Sequence, residues 1–196
     1  MAATAPNPEG AGYCSSTSGA VLPLEVVAKA EFQFIWRCLR RMGVWPDDKV
    51  DDAAQRVFEV ATRKWDHVLP GKECEYLYRI AANIAAEMRR ARRVGQREQS
   101  DGKVVDSASQ DDDEPEAPFQ ERQYRSHLDE ILNAMPDELR EVFVLYEIEC
   151  LSSVDIAELI GLKLGTVASR LRRAREIFRE HSARLRLRLQ FSGELP

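Results

Sequence analysis

Residues 153–174 read SVDIAELIGLKLGTVASRLRRA, and their spacing predicts two short helices joined by a tight turn. Each residue type stands where sterics require it. Ala157 is small where the helices cross, Gly161 permits the turn's backbone, and Val167 locks the second helix against the first. Ser152 followed by Asp155 is a capping box for the first helix, with Asp in place of the usual Glu or Gln. Val167, Leu171, Ala174 and Phe178 form the buried stripe of the second. The pattern is a helix-turn-helix.

With that stripe turned inward, Thr166, Ser169, Arg170, Arg172 and Arg173 are left outside. These are phosphate and base-edge chemistries: hydroxyl donors, and guanidinium forks that pair bidentately with guanine. From Lys163 to Arg188 there are nine basic residues against two acids. If roughly six of them contact phosphates, binding should weaken with salt at a log-log slope of order -5. Upstream, Leu128, Ile131, Leu132 and Met135 make a short stripe that Pro136 interrupts. Pro136 suits the first position of a new helix, where its missing N–H costs nothing, and Leu139, Val142, Phe143 and Tyr146 continue on one face.

Towards the N-terminus three more helical stripes are legible: Val27, Ala30, Phe34, Cys38 and Met42; Ala54, Val57, Phe58 and Ala61; and Leu77, Ile80, Ala81, Ile84 and Met88. GVWPDDK and HVLPGKE between them carry the Gly and Pro of interhelical loops. Between Glu98 and Glu121 nine carboxylates face the single Lys103 with no apolar period, the composition of a flexible acidic linker. The expected fold is therefore all-α. Two small helical domains, 25–97 and 122–186, are joined by the linker 98–121 and flanked by a disordered arm, 1–24, and a tail, 187–196. The only strand-like alternation is LRLRLQF near the end.

The chain has 196 residues and a net charge of -5, which on its face speaks against a nucleic-acid partner. That figure is an average over opposed segments, since Arg79 to Arg97 holds six Arg against Glu87 and the linker is strongly acidic. No run approaches the roughly 18 to 20 apolar residues that span a bilayer, and the first 24 residues lack a basic and apolar leader pattern. No membrane insertion and a cytoplasmic location are expected. Cys14, Cys38, Cys74 and Cys150 are widely separated without a CxxC, and neither they nor His67 and His127 have ligand spacing. No phosphate loop or catalytic triad is marked, so neither a cofactor, a metal nor an enzymatic activity is expected.

The segments DDAAQRVFEVATRKW, ECEYLYRIAANIAAEMRRARR and MPDELREVFVLYEIECLSSVDIAELIGLKLGTVASRLRRARE, in that order, resemble the bacterial sigma factors of the extracytoplasmic-function group. These keep only the region 2 and region 4 domains of the sigma-70 superfamily. The resemblance covers about 130 of the 196 residues. It implies a dissociable promoter-recognition subunit of core RNA polymerase. Asp51, Asp52, Gln55 and Phe58 would dock on the polymerase clamp, and Lys163, Thr166, Ser169, Arg170, Arg172 and Arg173 would read promoter DNA near minus 35. The helix from Cys74 to Arg93 would read the element near minus 10. With Leu77, Ile80, Ala81 and Ile84 inward, Tyr76, Arg79, Asn83 and Arg90 project along one stripe, offering stacking, a base-edge partner and backbone charge to an opened strand.

The loop from Asp66 to Glu73 would hold a flipped base, while Trp65 extends the core series of Phe58 and Ala61 and His67 is incidental. An anti-sigma factor covering these faces is a further implied partner. The linker run DDDEPE has two readings, a mimic of nascent RNA's charge and a solvated tether. The competing function is a helix-turn-helix regulator that binds duplex DNA without joining polymerase; it leaves the Asp-Asp-x-x-Gln helix unexplained.

Overall fold

A computed structural model describes residues 20–99 and 119–192. The expected arm, 1–24, is described only from residue 20, and residues 100–118 of the expected linker lie outside the described residues. Seven α-helices account for nearly all of the rest: α1 (Leu24–Arg41), α2 (Asp47–Thr62), α3 (Glu73–Gln99), α4 (Phe119–Ala134), α5 (Asp137–Phe143), α6 (Ser153–Leu159) and α7 (Leu164–Ser192). No strand occurs among the described residues. The alternating LRLRLQF run continues α7 as helix, so the tail expected from residue 187 starts inside that element.

Helices α1 to α3 form the N-terminal unit. Acidic Glu25 in the first turn of α1 and Arg40 and Arg41 in its last complement the helix dipole. Its inward stripe is Val27, Glu31, Phe34, Ile35, Cys38 and Leu39, so the expected Ala30 is exposed and Glu31 takes the inward place. A methyl group gains little by burial, whereas the Glu31 carboxylate accepts from the Cys74 thiol of α3 at 3.6 Å. Trp65 closes this core at 8% exposure and donates its indole N–H to the Leu22 carbonyl at 2.9 Å. His67 is exposed.

Helices α4 to α7 form the C-terminal unit. Pro136 stands one residue before α5, and its carbonyl accepts from Leu139 and Arg140. Helix α5 runs into a π-helical turn, Val144–Ile148, and the four consecutive residues Val142, Phe143, Val144 and Leu145 are all buried. Such a run is buried on every side because the segment is a wall between two cores. Phe143 and Val144 face Ile131, Leu132, Met135 and Ala174, with Phe143 stacked 5.0 Å from Phe178. Val142 and Leu145 face the other way, into a cluster in which Leu151, Ile156, Leu159, Val167 and Leu171 join the core of the N-terminal unit. Leu139 and Tyr146, expected in that stripe, are half-buried at its ends.

The two units therefore pack together, a contact that helical periodicity within each unit did not announce. Charged groups rim the shared core. Arg37 forks onto Glu149 at 2.7 Å, Arg40 and Arg41 meet Asp129 at 2.8 and 3.3 Å, Arg89 meets Asp137 at 2.8 Å, and Lys72 meets Glu158 at 2.7 Å. The Tyr78 hydroxyl donates to Glu141 at 3.2 Å. One cation runs the opposite way: Arg140, 1% exposed, reaches back to the Met42 carbonyl at the end of α1 at 3.1 Å, where Arg89 also donates. Burial and the neighbouring Arg89 lower the Arg140 guanidinium to about 10. Gly43, with φ +92°, leaves the room that Arg140 fills.

Candidate nucleic-acid interface

The helix-turn-helix forms as its residues dictate. Ser152 caps α6, its hydroxyl accepting from the Asp155 N–H at 3.2 Å and donating to the Asp155 carboxylate at 2.7 Å. Gly161 turns the chain with φ +67°, and the Leu162 N–H closes the turn on the Ala157 carbonyl at 2.9 Å. Val167, Leu171 and Ala174 are buried, with Ile156 and Leu159 of α6 opposite. That packing fixes which side of α7 faces solvent.

Lys163, Ser169, Arg172 and Arg173 lie on the exposed side, and Thr166 is half-buried beside them. Ser169 donates its hydroxyl to the Thr166 carbonyl at 2.9 Å, and Arg172 pairs with Glu176 at 2.9 Å. An exposed i,i+4 pair of that kind contributes at most about 1 kcal/mol, so a phosphate can displace it. Arg170 departs from the expected outer face. It lies at the edge of the buried stripe, its side chain only 23% exposed, and donates to Glu138 of α5 at 2.8 Å. Arg175, not singled out from sequence, crosses to Glu147 at 2.6 Å and lies 5.0 Å over the Tyr146 ring, tying α7 to the π-helical turn. The hydrogen bond to Glu147 raises its guanidinium.

On α3 the second set keeps its expected spacing. Asn83 and Arg90 are exposed, Arg79 is exposed and held by Glu75 one turn back, and Tyr76 is half-buried with its ring 6.2 Å from Trp65. Tyr76 therefore packs beside a tryptophan and is not a free ring. The adjoining loop passes through a short 3-10 turn, Trp65–His67, and places Leu69 at 69% exposure, a solvated apolar side chain that no periodicity marked.

On the far side of the unit, α1 and α2 flank an open groove of about 810 Å³. Phe58 stacks on Phe32 across it, ring centroids 6.0 Å apart, with Leu24 and Ala28 extending the apolar floor. Asp51, Gln55, Glu25 and Glu59 rim it. Three of the four residues assigned to polymerase docking thus share one groove, while Asp52 lies outside its lining and pairs with Lys49 at 3.1 Å. Asp51 accepts from the Trp36 indole at 2.8 Å and Gln55 donates to Glu59 at 2.8 Å. Phe32 was missed from sequence because it falls off the inward stripe of α1; its signal is a large aromatic, 37% exposed, facing another across two helices.

Among the described residues no helix is long and apolar enough to cross a membrane, and no group of three His, Cys, Asp or Glu side chains is placed to hold a metal ion. Residues 126–177, the exposed cationic side of α7 included, match the family described as Sigma-70, region 4. The chain is 32% identical to the ECF RNA polymerase sigma factor SigE of Mycolicibacterium smegmatis over 68% of its own length and 52% of that protein. It thus spans about half of that relative, and 57% of a sigma-E factor from Haemophilus influenzae. It is also 32% identical to the RNA polymerase sigma-H factor of Pseudomonas aeruginosa, covering 65% of this chain and 70% of that one.

The fold is shared with CnrH in complex with the cytosolic domain of CnrY, at TM-score 0.60 and 22% identity over 84% of this chain and 88% of that one. It is shared too with the sigma factor RpoE of Bartonella quintana in complex with the anti-sigma factor NepR, at TM-score 0.59 and 22% identity over 81% and 96%. With a region 4 helix-turn-helix, a three-helix N-terminal unit and relatives of this kind over most of its length, the chain belongs to the extracytoplasmic-function group of sigma-70 RNA polymerase sigma factors.

Proposed function

We propose that this chain binds core RNA polymerase and directs promoter-specific initiation in the cytoplasm, supplying binding energy while polymerase does the chemistry. The observation that carries the reading is the solvent-facing cationic side of α7, with Lys163, Ser169, Arg172 and Arg173 exposed on the second helix of a helix-turn-helix in a sigma-family chain. Those side chains, with Thr166 and Arg170 beside them, meet duplex DNA near minus 35. Arg170 does so by exchanging Glu138 for a phosphate. Tyr76, Arg79, Asn83 and Arg90 of α3 take the opened strand near minus 10. The domain limits 25–97 and 122–186 serve as the two functional units.

The groove holding Asp51, Gln55 and Phe58 supports the polymerase assignment, because an apolar floor with an acidic rim fits an amphipathic basic helix, with Asp52 as a flanking charge. An anti-sigma partner that covers these faces completes the reading, and the complex of RpoE with the anti-sigma factor NepR supports it. The test is in vitro transcription with core polymerase on a pool of promoters, alongside polymerase pull-down of the Asp52→Arg, Gln55→Arg double variant. Specific starts with wild type and loss of capture with the variant are expected. A chain that binds duplex DNA but never enters polymerase would instead be a free-standing regulator.

A further inference from the structure

The loop between α2 and α3 is tied down by a residue far from it in sequence. Leu22, two residues before α1, donates its N–H to the Glu73 carboxylate at 3.1 Å and accepts at its carbonyl from the Trp65 indole N–H at 2.9 Å. Trp65 and Glu73 bracket the stretch from Asp66 to Lys72, so both of its ends are held by one residue of the lead-in to α1. Val21 to Pro23 form neither helix nor strand, and the two bonds belong to no repeating ladder. Glu73 is only 2% exposed. The first turn of α3 favours an acid through the helix dipole, but an exposed acid would serve there equally. Burying a carboxylate is costly, and an apolar side chain would enter that core without the cost. What the buried acid adds is an acceptor for the Leu22 N–H.

Between its tied ends the loop is two tight turns. The Val68 N–H closes on the Trp65 carbonyl at 3.0 Å, and the Lys72 N–H on the Leu69 carbonyl at 3.0 Å. In the second, Pro70 and Gly71, the latter at φ +77°, are the residues that the central places of a type II turn require. Buried Val68 pins the middle of the loop. On its inner side Trp65 packs against Tyr76, which is half-buried and belongs to the set proposed for the opened strand near minus 10. The tie therefore reaches that surface in two steps, from Leu22 to Trp65 and from Trp65 to Tyr76.

We propose that Leu22, Trp65 and Glu73 are positioning residues for base reading: together they clamp the loop and the Tyr76 ring in the shape that receives one unpaired base of the opened strand. The proposal rests on the strand-opening function above. None of the three touches DNA. They act by preorganisation, since a loop and ring already held in the bound shape give up less freedom when the base arrives, and contacts elsewhere along α3 are left as they are.

The test uses the full-length chain assembled with core polymerase. A forked DNA library, duplex upstream and single-stranded through the minus 10 region, is randomised at each unpaired position, captured and sequenced. Trp65→Phe keeps an aromatic ring against Tyr76 and removes the indole N–H. Glu73→Ala removes the acceptor for Leu22, and Glu73→Gln restores one without charge. Trp65→Phe and Glu73→Ala should each weaken preference for the favoured base about 3- to 10-fold at one unpaired position, the effect of one lost hydrogen bond. Preferences at the other unpaired positions and in the duplex should stay within about 2-fold of wild type, and Glu73→Gln should keep the wild-type preference throughout. With an abasic site at the affected position, all four chains should bind within about 2-fold of one another.

A fall spread evenly over every position, or one that persists on abasic DNA, would make the bonds merely structural and overturn the proposal. Undiminished preference in Trp65→Phe and Glu73→Ala would do the same, and a Glu73→Gln chain that fails as Glu73→Ala does would remove the acceptor role. If Glu73→Ala does not fold, Leu22→Pro, which deletes the N–H at the other end of that bond, replaces it under the same criteria. A wild-type chain that selects no sequence with polymerase would refute the strand-opening function itself, a result distinct from any pattern among the variants.

Discussion

Gly43→Ala should loosen the joint between the two units. Gly43 has φ +92°, where an L side chain costs about 1–2 kcal/mol. A Cβ there would lie 2.6 Å from Arg140 Nη1, 3.1 Å from Arg89 Cδ and 3.2 Å from Asn133 Oδ1. Arg140 is 1% exposed, and clearing that Cβ makes its guanidinium give up the hydrogen bond to the Met42 carbonyl, a loss of about 1–3 kcal/mol for a buried charged donor. The sum is about 2–5 kcal/mol, or roughly 4–20 °C in Tm for a chain of this size. Two contributions are separable because one is backbone strain within the N-terminal unit and the other a collision with the C-terminal unit. In the Gly43→Ala, Arg140→Ala double variant the collision is gone and the strain stays, so the combined cost should fall short of the sum of the singles by about 1–3 kcal/mol. Urea and thermal unfolding by circular dichroism measure the cycle. A Gly43→Ala chain within about 0.5 kcal/mol of wild type, or costs that simply add, would refute the packing argument.

Val167→Asp places a carboxylate at a fully buried position between α6 and α7 and should lower stability by more than about 3 kcal/mol while abolishing duplex binding; an unchanged urea midpoint would count against the helix-turn-helix core. Burial pushes the Glu141 carboxyl above its ordinary value, so its contribution to stability is complete below the unfolded value and is lost as pH rises through the raised folded one. Glu141→Gln keeps an acceptor for Tyr78 without the charge and should melt higher than wild type at pH 7, the gap closing as pH falls toward 4.5; a gap that widens on acidification would be the wrong sign. Arg173→Ala should make the log-log salt dependence of duplex binding shallower by about 0.9, the share of one phosphate, and an unchanged slope would remove Arg173 from the interface.

Much of each unit was legible because the signals are local. The Ser152 capping box, the Gly161 turn and the Val167, Leu171, Ala174 stripe all depend on residues within one or two turns of each other, and all formed as read. What escaped depends on partners distant in the chain. Ala30 and Glu31 exchange places because Cys74, on another helix, offers Glu31 a donor. Arg170 turns from the outer face because Glu138, on α5, lies within reach. The burial of all four residues from Val142 to Leu145 has no helical period, since it needs a core on both sides, and the second core is shared with the other unit. Phe32 and Phe58 find each other across two helices, so each alone reads as an ordinary aromatic.

The charge of the chain is therefore divided by face as well as by segment. In the C-terminal unit Lys163, Arg172 and Arg173 of α7 face solvent, while Asp129, Asp137, Glu149 and Glu158 point at the N-terminal unit. That division keeps the acids of the C-terminal unit away from its solvent-facing cations. Within a Debye length of about 8–10 Å an unpaired carboxylate would repel any polyanion approaching the cationic side of α7, and pairing each with an arginine or lysine of the N-terminal unit removes that repulsion.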